Sequence, residues 1–148
     1  MLGTAGRKRW GAVAYAIIGL VALALGWYLV RYFEGLRNLG YVDSAIGTMR
    51  TLTAAEEKFS ETHPSLGYTC KLVDLTTDPI IASGQKNEYI FEIIDCRARS
   101  VDGPNANYRL TARPLRATMP AFCCDQSGIL KADYGGSTID CVKSGKSL

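Results

Sequence analysis

From Trp10 to Val30 the chain runs twenty-one residues without a charge, directly behind Arg7, Lys8 and Arg9. As a helix rising about 1.5 Å per residue, that run covers roughly 31 Å, about the hydrocarbon thickness of a bilayer. A small domain has no interior large enough to bury such an element, and the apolar core of a cleaved signal peptide is usually shorter. The basic residues ahead of the run favour an N-terminus held in the cytoplasm, with the remainder of the chain outside. Trp10 at one end and Trp27 with Tyr28 at the other sit where aromatic side chains settle at membrane interfaces. The run predicts one uncleaved membrane anchor. The competing reading is signal-peptidase cleavage after Ala22-Leu23-Ala24, which would leave the apolar stub that begins at Leu25.

The sequence divides accordingly: 1–9 as a basic cytoplasmic leader, 10–30 as the transmembrane helix, 31–63 as its extramembrane continuation, and 64–148 as a sheet region forming one domain with 31–63. Three of the seventeen Lys and Arg residues lie in the leader, which leaves fourteen against fourteen acidic residues beyond it. A nucleic-acid binder normally carries a basic surplus, so the balance argues against that class. All five cysteines, Cys70, Cys96, Cys123, Cys124 and Cys141, follow the anchor, and none has zinc-finger or CxxC spacing. Disulfides are their expected use in a translocated domain of this size.

Beyond Val30, Phe33, Leu36, Leu39, Val42, Ile46, Met49, Leu52 and Phe59 recur at helical spacing, and Pro64 closes the element at His63. One helix from about Trp10 to Thr62 is expected, with Gly35, Gly40 and Gly47 as places where it could loosen. Asp78, Pro79 and Gly84 carry the cap, first-turn and exit signals of a short helix. Tyr89 to Asp95, Asn107 to Pro114, Ala121 to Asp125 and Ile129 to Tyr134 read as strands. Tyr108, Leu110 and Ala112 alternate with Arg109, Thr111 and Arg113, giving one dry and one wet face. The expected class is α+β: a long N-terminal helix with a roughly four-stranded antiparallel sheet on its outer half.

With that order, certain words resemble the type IV pilin and pseudopilin-like family. They are 42–56 (VDSAIGTMRTLTAAE), 62–70 (THPSLGYTC), 87–91 (NEYIF), 108–112 (YRLTA) running on to Pro114, and 122–129 (FCCDQSGI). Residues 16–20 (AIIGL) also look like the apolar start of a pilin helix. The resemblance implies an outer half-helix wrapped by a four-stranded sheet. It also implies that the cysteine after Phe122 pairs with the one closing GYTC. At the N-terminus the chain departs from the pattern. The candidate cut site is Gly11, Ala12 would become the first residue, and the fifth is Ala16 where the family carries Glu. The helix-breaking Pro usual near Gly26 is missing as well.

Two bridges and one spare thiol can be arranged fifteen ways. Following the resemblance, the expectation is Cys70 with Cys123 and Cys96 with Cys141, leaving Cys124 as a buried free thiol; strand alternation agrees in pointing Cys123 and Cys124 to opposite faces. Cys124 is thus a small buried hydrophobe in one reading and a redox thiol in the other. Asp74, Asp78, Asp125 and Asp133 lack the alternating spacing of a calcium loop, and His63, the only histidine, reads as a helix-end residue. Thr53-Ala-Ala-Glu56 has capping-box form in the middle of a helix and reads as incidental. Arg97, Arg99, Arg109, Arg113 and Arg116 are a candidate partner patch for an acidic surface, against a solvated face with a cross-strand Glu92 pair.

No catalytic constellation, cofactor motif or metal-ligand cluster is recognisable in the sequence. The expected function is non-enzymatic: a single-span protein of a bacterial inner membrane, with its disulfide-braced domain outside. It would assemble with other membrane or filament proteins and with lipid. An auxiliary subunit of a membrane complex and a processed pseudopilin or pilin are the two main forms of that reading; a thiol-dependent redox protein is the third.

Overall fold

The computed structural model describes residues 5–98 and 103–148, with side chains from residue 13 to 96 and from 103 onward. Helix α1 spans Ala5–Thr62 and passes through Gly35, Gly40 and Gly47 without interruption. A 3₁₀ turn at Leu72–Asp74 and helix α2, Pro79–Ala82, precede the strands. These are β1 (Gln85–Lys86), β2 (Tyr89–Ala98), β3 (Asn105–Pro114), β4 (Ala121–Asp125) and β5 (Lys131–Asp133). Helix α3, Thr138–Ser144, and a last strand β6, Lys146–Ser147, close the chain. The six strands form one antiparallel meander in sequence order. The sheet thus has two strands more than expected, both of only two residues.

The chain forms two compact units, one ending at Leu39 and the other running from Gly40 to Leu148. In the first, the described side chains are almost all exposed. In the second, α1 contributes Ala45, Thr48, Met49, Leu52 and Glu56 as its buried side chains. Their steps of three and four mark a single stripe. That corrects the expected stripe at its near end: Phe33, Leu36 and Leu39 are exposed. Among the described side chains of α1, those from Tyr41 onward pack their apolar side in the core with the sheet.

The inward face of the sheet alternates large and small. Phe91 of β2 lies opposite Ala112 of β3, which lies opposite Phe122 of β4, which lies opposite Ala132 of β5. All four are buried, and a bulky ring beside each alanine lets the row interdigitate with Met49 and Leu52. Tyr89 adds its ring to the row, 5.8 Å from that of Phe122, and donates its hydroxyl to the Pro120 carbonyl at 2.9 Å. Burying each of these large side chains contributes roughly 1.5–3 kcal/mol.

The outward face is not wet throughout. Thr111 is buried and lies opposite Cys123. Helix α3, which the sequence reading did not anticipate, packs over β4 and β5 and reaches β3. Ser137 caps it by accepting the Asp140 N–H at 3.2 Å. Asp78 does the same for α2, accepting the Ile80 N–H at 2.9 Å.

Candidate functional site

The first candidate surface is the apolar half of α1. It is long and apolar enough to cross a membrane, and none of its most apolar eighteen-residue window is buried. Contiguous apolar exposure of that extent marks a membrane or protein contact. Trp27 and Tyr28 are 67% and 62% exposed, and the guanidinium of Arg31 lies 5.5 Å over the Trp27 ring. Arg31 also pairs with Glu34 at 3.7 Å. Aromatic and cationic groups therefore meet at the end of the uncharged run, the composition of a membrane–water boundary. The Trp10 side chain lies outside the described residues.

The disulfides correct the expected pairing. Cys70 is joined to Cys96 and Cys123 to Cys141, with Cys124 unpaired and buried. Cys123 does face outward, but the element waiting there is α3, which brings the Cα of Cys141 to 6.0 Å. Cys70 is fixed by the loop after α1. Gly67 bridges to Asn105, and Asn105 in turn lies opposite Ala98 near the end of β2, so Cys70 arrives beside Cys96. Gly67 has φ +72°, and a Cβ there would lie 2.2 Å from the Asn105 carbonyl oxygen, so no other residue fits.

Among the described side chains, Arg109, Arg113 and Arg116 each sit in a different setting. Arg109 pairs with Asp95, whose φ of +53° falls at a bulge in β2, rather than with Glu92, which stands opposite Thr111. Arg113 is exposed four residues along β3, about 13 Å away at strand spacing. Arg116 pairs with Glu88 at 3.4 Å and lies 6.0 Å over the Tyr41 ring. Arg99 and the Arg97 side chain lie outside the described residues.

The four aspartates considered for calcium are each a local acceptor. Asp74 takes the Thr69 hydroxyl, Asp78 the Ile80 N–H, Asp125 the Ser127 N–H and Asp133 the Ser137 N–H. The bonds from Ser127 hold Asp125 below the usual carboxylate range, helped by Lys131 and Arg109. His63 ends α1, exposed, with its ring stacked 4.3 Å from that of Phe59. Among the described residues no three His, Cys, Asp or Glu side chains are grouped to hold a metal.

A buried polar cluster lies inside the second unit, built from groups the sequence reading treated separately. Thr53 of α1 donates to the Met49 carbonyl at 2.9 Å, and its hydroxyl lies 2.9 Å from the Cys124 sulfur. One turn further, Glu56 is 0% exposed, and its Oε2 accepts the Thr69 N–H at 3.0 Å. The other carboxyl oxygen, Oε1, has no partner. Burial raises the Glu56 carboxyl to about 7, with the Thr69 bond pulling it down and Asp74 pushing it up. Burial likewise pushes up the Tyr108 hydroxyl and the Cys124 thiol. A thiol held in its neutral form is a weak nucleophile, so the environment of Cys124 suits packing better than redox chemistry.

Glu56 was legible in principle: it follows Leu52 by four residues and precedes Phe59 by three, a core position of the stripe. Its capping-box spacing with Thr53 falls on the same register and masks it in the sequence. No family model matches the chain, no curated protein matches it, and no solved structure matches it.

Proposed function

We propose that this is a non-enzymatic, single-span, pilin-like membrane protein whose outward domain assembles with other proteins. The observation that carries this reading is the apolar window of α1, none of which is buried, in a chain whose second unit is a well-packed α+β fold. An element of that length and hydropathy has no stable place in water, and among the described residues nothing covers it. Lipid or another apolar helix supplies the cover.

Orientation follows from the basic leader, which favours a cytoplasmic N-terminus and an extracytoplasmic domain at a bacterial inner membrane. Two disulfides beyond the anchor fit the same direction, because bridges persist in oxidising compartments. The pilin-like character rests on the resemblance of 42–56, 62–70 and 122–129 and on the order of helix and antiparallel sheet.

An auxiliary subunit of a membrane complex is the favoured form, because the anchor lacks the glutamate that would set filament register and the usual cut-site pattern. The second form is a processed minor pilin or pseudopilin. The intact mass of unreduced protein purified from membranes separates them. A mass that retains the leader supports the accessory subunit, whereas a chain starting at Ala12 would transfer the assignment to the filament.

A further inference from the structure

The two disulfides sit in opposite surroundings. Cys123 and Cys141 are 2% and 0% exposed, sealed where α3 packs on β4. Cys70 is exposed and forms part of the wall of two surface grooves. One groove runs past Phe59, Tyr68 and Asn105, and the other follows β2 past Leu72, Gly84 and Ile93. Its partner Cys96 lines neither groove; it is half-buried and packs against the core. Thiol–disulfide exchange requires a thiolate to reach a sulfur. At Cys123–Cys141 the fold withholds both sulfurs, whereas at Cys70–Cys96 it offers Cys70.

The groups around the exposed bridge suit exchange there. Asn105 donates through its side-chain amide to the Tyr68 carbonyl at 2.9 Å and to the Cys70 sulfur at 3.4 Å. Lys71, the next residue, is exposed, and its positive charge favours an approaching thiolate as well as one left on Cys70. On the far side, the Cys96 sulfur lies 3.4 Å from the Thr69 carbonyl, an acceptor for its S–H once the bridge opens. That acceptor is held in place, because the Thr69 N–H donates to Glu56 at 3.0 Å. Cys124 does not compete from within: it faces Thr53 of α1, on the side of β4 opposite to Cys123.

We propose that Cys70–Cys96 is an exchange site for a dithiol reductant, with Cys70 as the sulfur attacked and Cys123–Cys141 as a fixed structural bridge. One thiolate of the reductant bonds to the Cys70 sulfur. The Cys70–Cys96 bond breaks, and Cys96 leaves with the electron pair and takes up a proton. The second thiolate of the reductant then attacks the reductant's own first sulfur and expels Cys70, which is protonated in turn. Two electrons and two protons pass to the protein, and the reductant ends as a disulfide. Reduction cuts the covalent tie between the loop after α1 and β2, while α3 stays bridged to β4. The Gly67–Asn105 bridge and the Glu56–Thr69 bond remain, so the change is confined to the segment that follows Thr69. The site is independent of whether the chain enters a filament.

The test uses the full wild-type chain in micelles, so no variant has to fold. Dithiothreitol is added under native conditions, samples are quenched in acid at intervals, and free thiols are labelled with maleimide after unfolding and mapped by mass. Cys70 and Cys96 are expected to become free at least about tenfold faster than Cys123 and Cys141, and the ratio is expected to collapse towards one in denaturant. A native ratio below about tenfold, or one that survives denaturation, overturns the proposal. Reduced glutathione in place of dithiothreitol identifies the sulfur attacked. The trapped mixed disulfide is expected on Cys70, with Cys96 free; an adduct mainly on Cys96, or shared equally between the two, overturns the assignment of Cys70.

Discussion

The hydroxyl of Thr53 and the sulfur of Cys124 lie 2.9 Å apart across seventy-one residues of sequence, joining α1 to the centre of the sheet. The contact places the one unpaired cysteine against the helix. It follows that Cys124 resists alkylation in the native protein and reacts only on unfolding. Cys124→Ala removes a buried sulfur together with its Thr53 contact and costs about 1–2 kcal/mol, whereas Cys124→Ser keeps a hydroxyl in reach of Thr53 and costs less. Urea denaturation followed by circular dichroism measures both, and mass-resolved labelling measures the thiol.

The two disulfides are short-range staples, of separation 26 and 18 residues. A non-reducing peptide map yields Cys70 with Cys96 and Cys123 with Cys141. Removing either bridge costs roughly 2–4 kcal/mol. Loss of Cys123–Cys141 releases α3 from β4, so Thr111 gains solvent exchange in that variant and not in the other.

Truncation at Phe122 tests the alternating row across the sheet. Phe122→Ala leaves a cavity between Ala112, Ala132 and the ring of Tyr89, three neighbours too small or too fixed to fill it. The expected cost is about 3–5 kcal/mol, enough to unfold a domain of this size or bring it close to unfolding. Thermal melting of the variant against the wild type reads this directly.

Stability depends on pH through Glu56. Its folded value near 7 lies above the unfolded value of 4.5, so the proton is held more tightly in the folded state. The resulting stabilisation is complete below about pH 4.5 and is lost as pH rises through about 7. Relative to Glu56→Gln, the wild type loses on the order of 3 kcal/mol across that window and then levels off. Denaturant midpoints for both proteins at a series of pH values supply the comparison.

Reversing Arg109 breaks its pair with Asp95, but both groups are about a third or more exposed. The Arg109→Glu variant therefore changes stability by less than about 1 kcal/mol. A larger loss in chemical denaturation would mean that the pair anchors the β2 bulge.

Much of this fold could be read from the chain because local signals agreed with tertiary demands. The uncharged run, the Pro64 stop, the Asp78 cap and the alternation of Tyr108, Leu110 and Ala112 each act within a few residues. The cysteine pairing depended on α3, and α3 left little trace: seven residues with a serine cap, behind Gly135 and Gly136. Without α3, sequence spacing gives Cys141 no place above β4 and leaves Thr111 on the wet face of β3. The end of the core stripe was equally hidden, because Phe33, Leu36 and Leu39 continue the apolar spacing of Met49 and Leu52 without sharing their burial. The unpartnered oxygen of Glu56 is a property of packing, and sequence spacing marks only its position.

In the proposed topology the apolar half of α1 spans a membrane and holds the disulfide-braced domain outside. Protease treatment of intact spheroplasts, with an epitope at each end of the chain, reads that topology. The expected result is loss of the C-terminal epitope, while an N-terminal fragment, leader included, stays protected and remains in the membrane after alkaline extraction. Protection of the C-terminal epitope, or release of the whole chain by alkali, would contradict it.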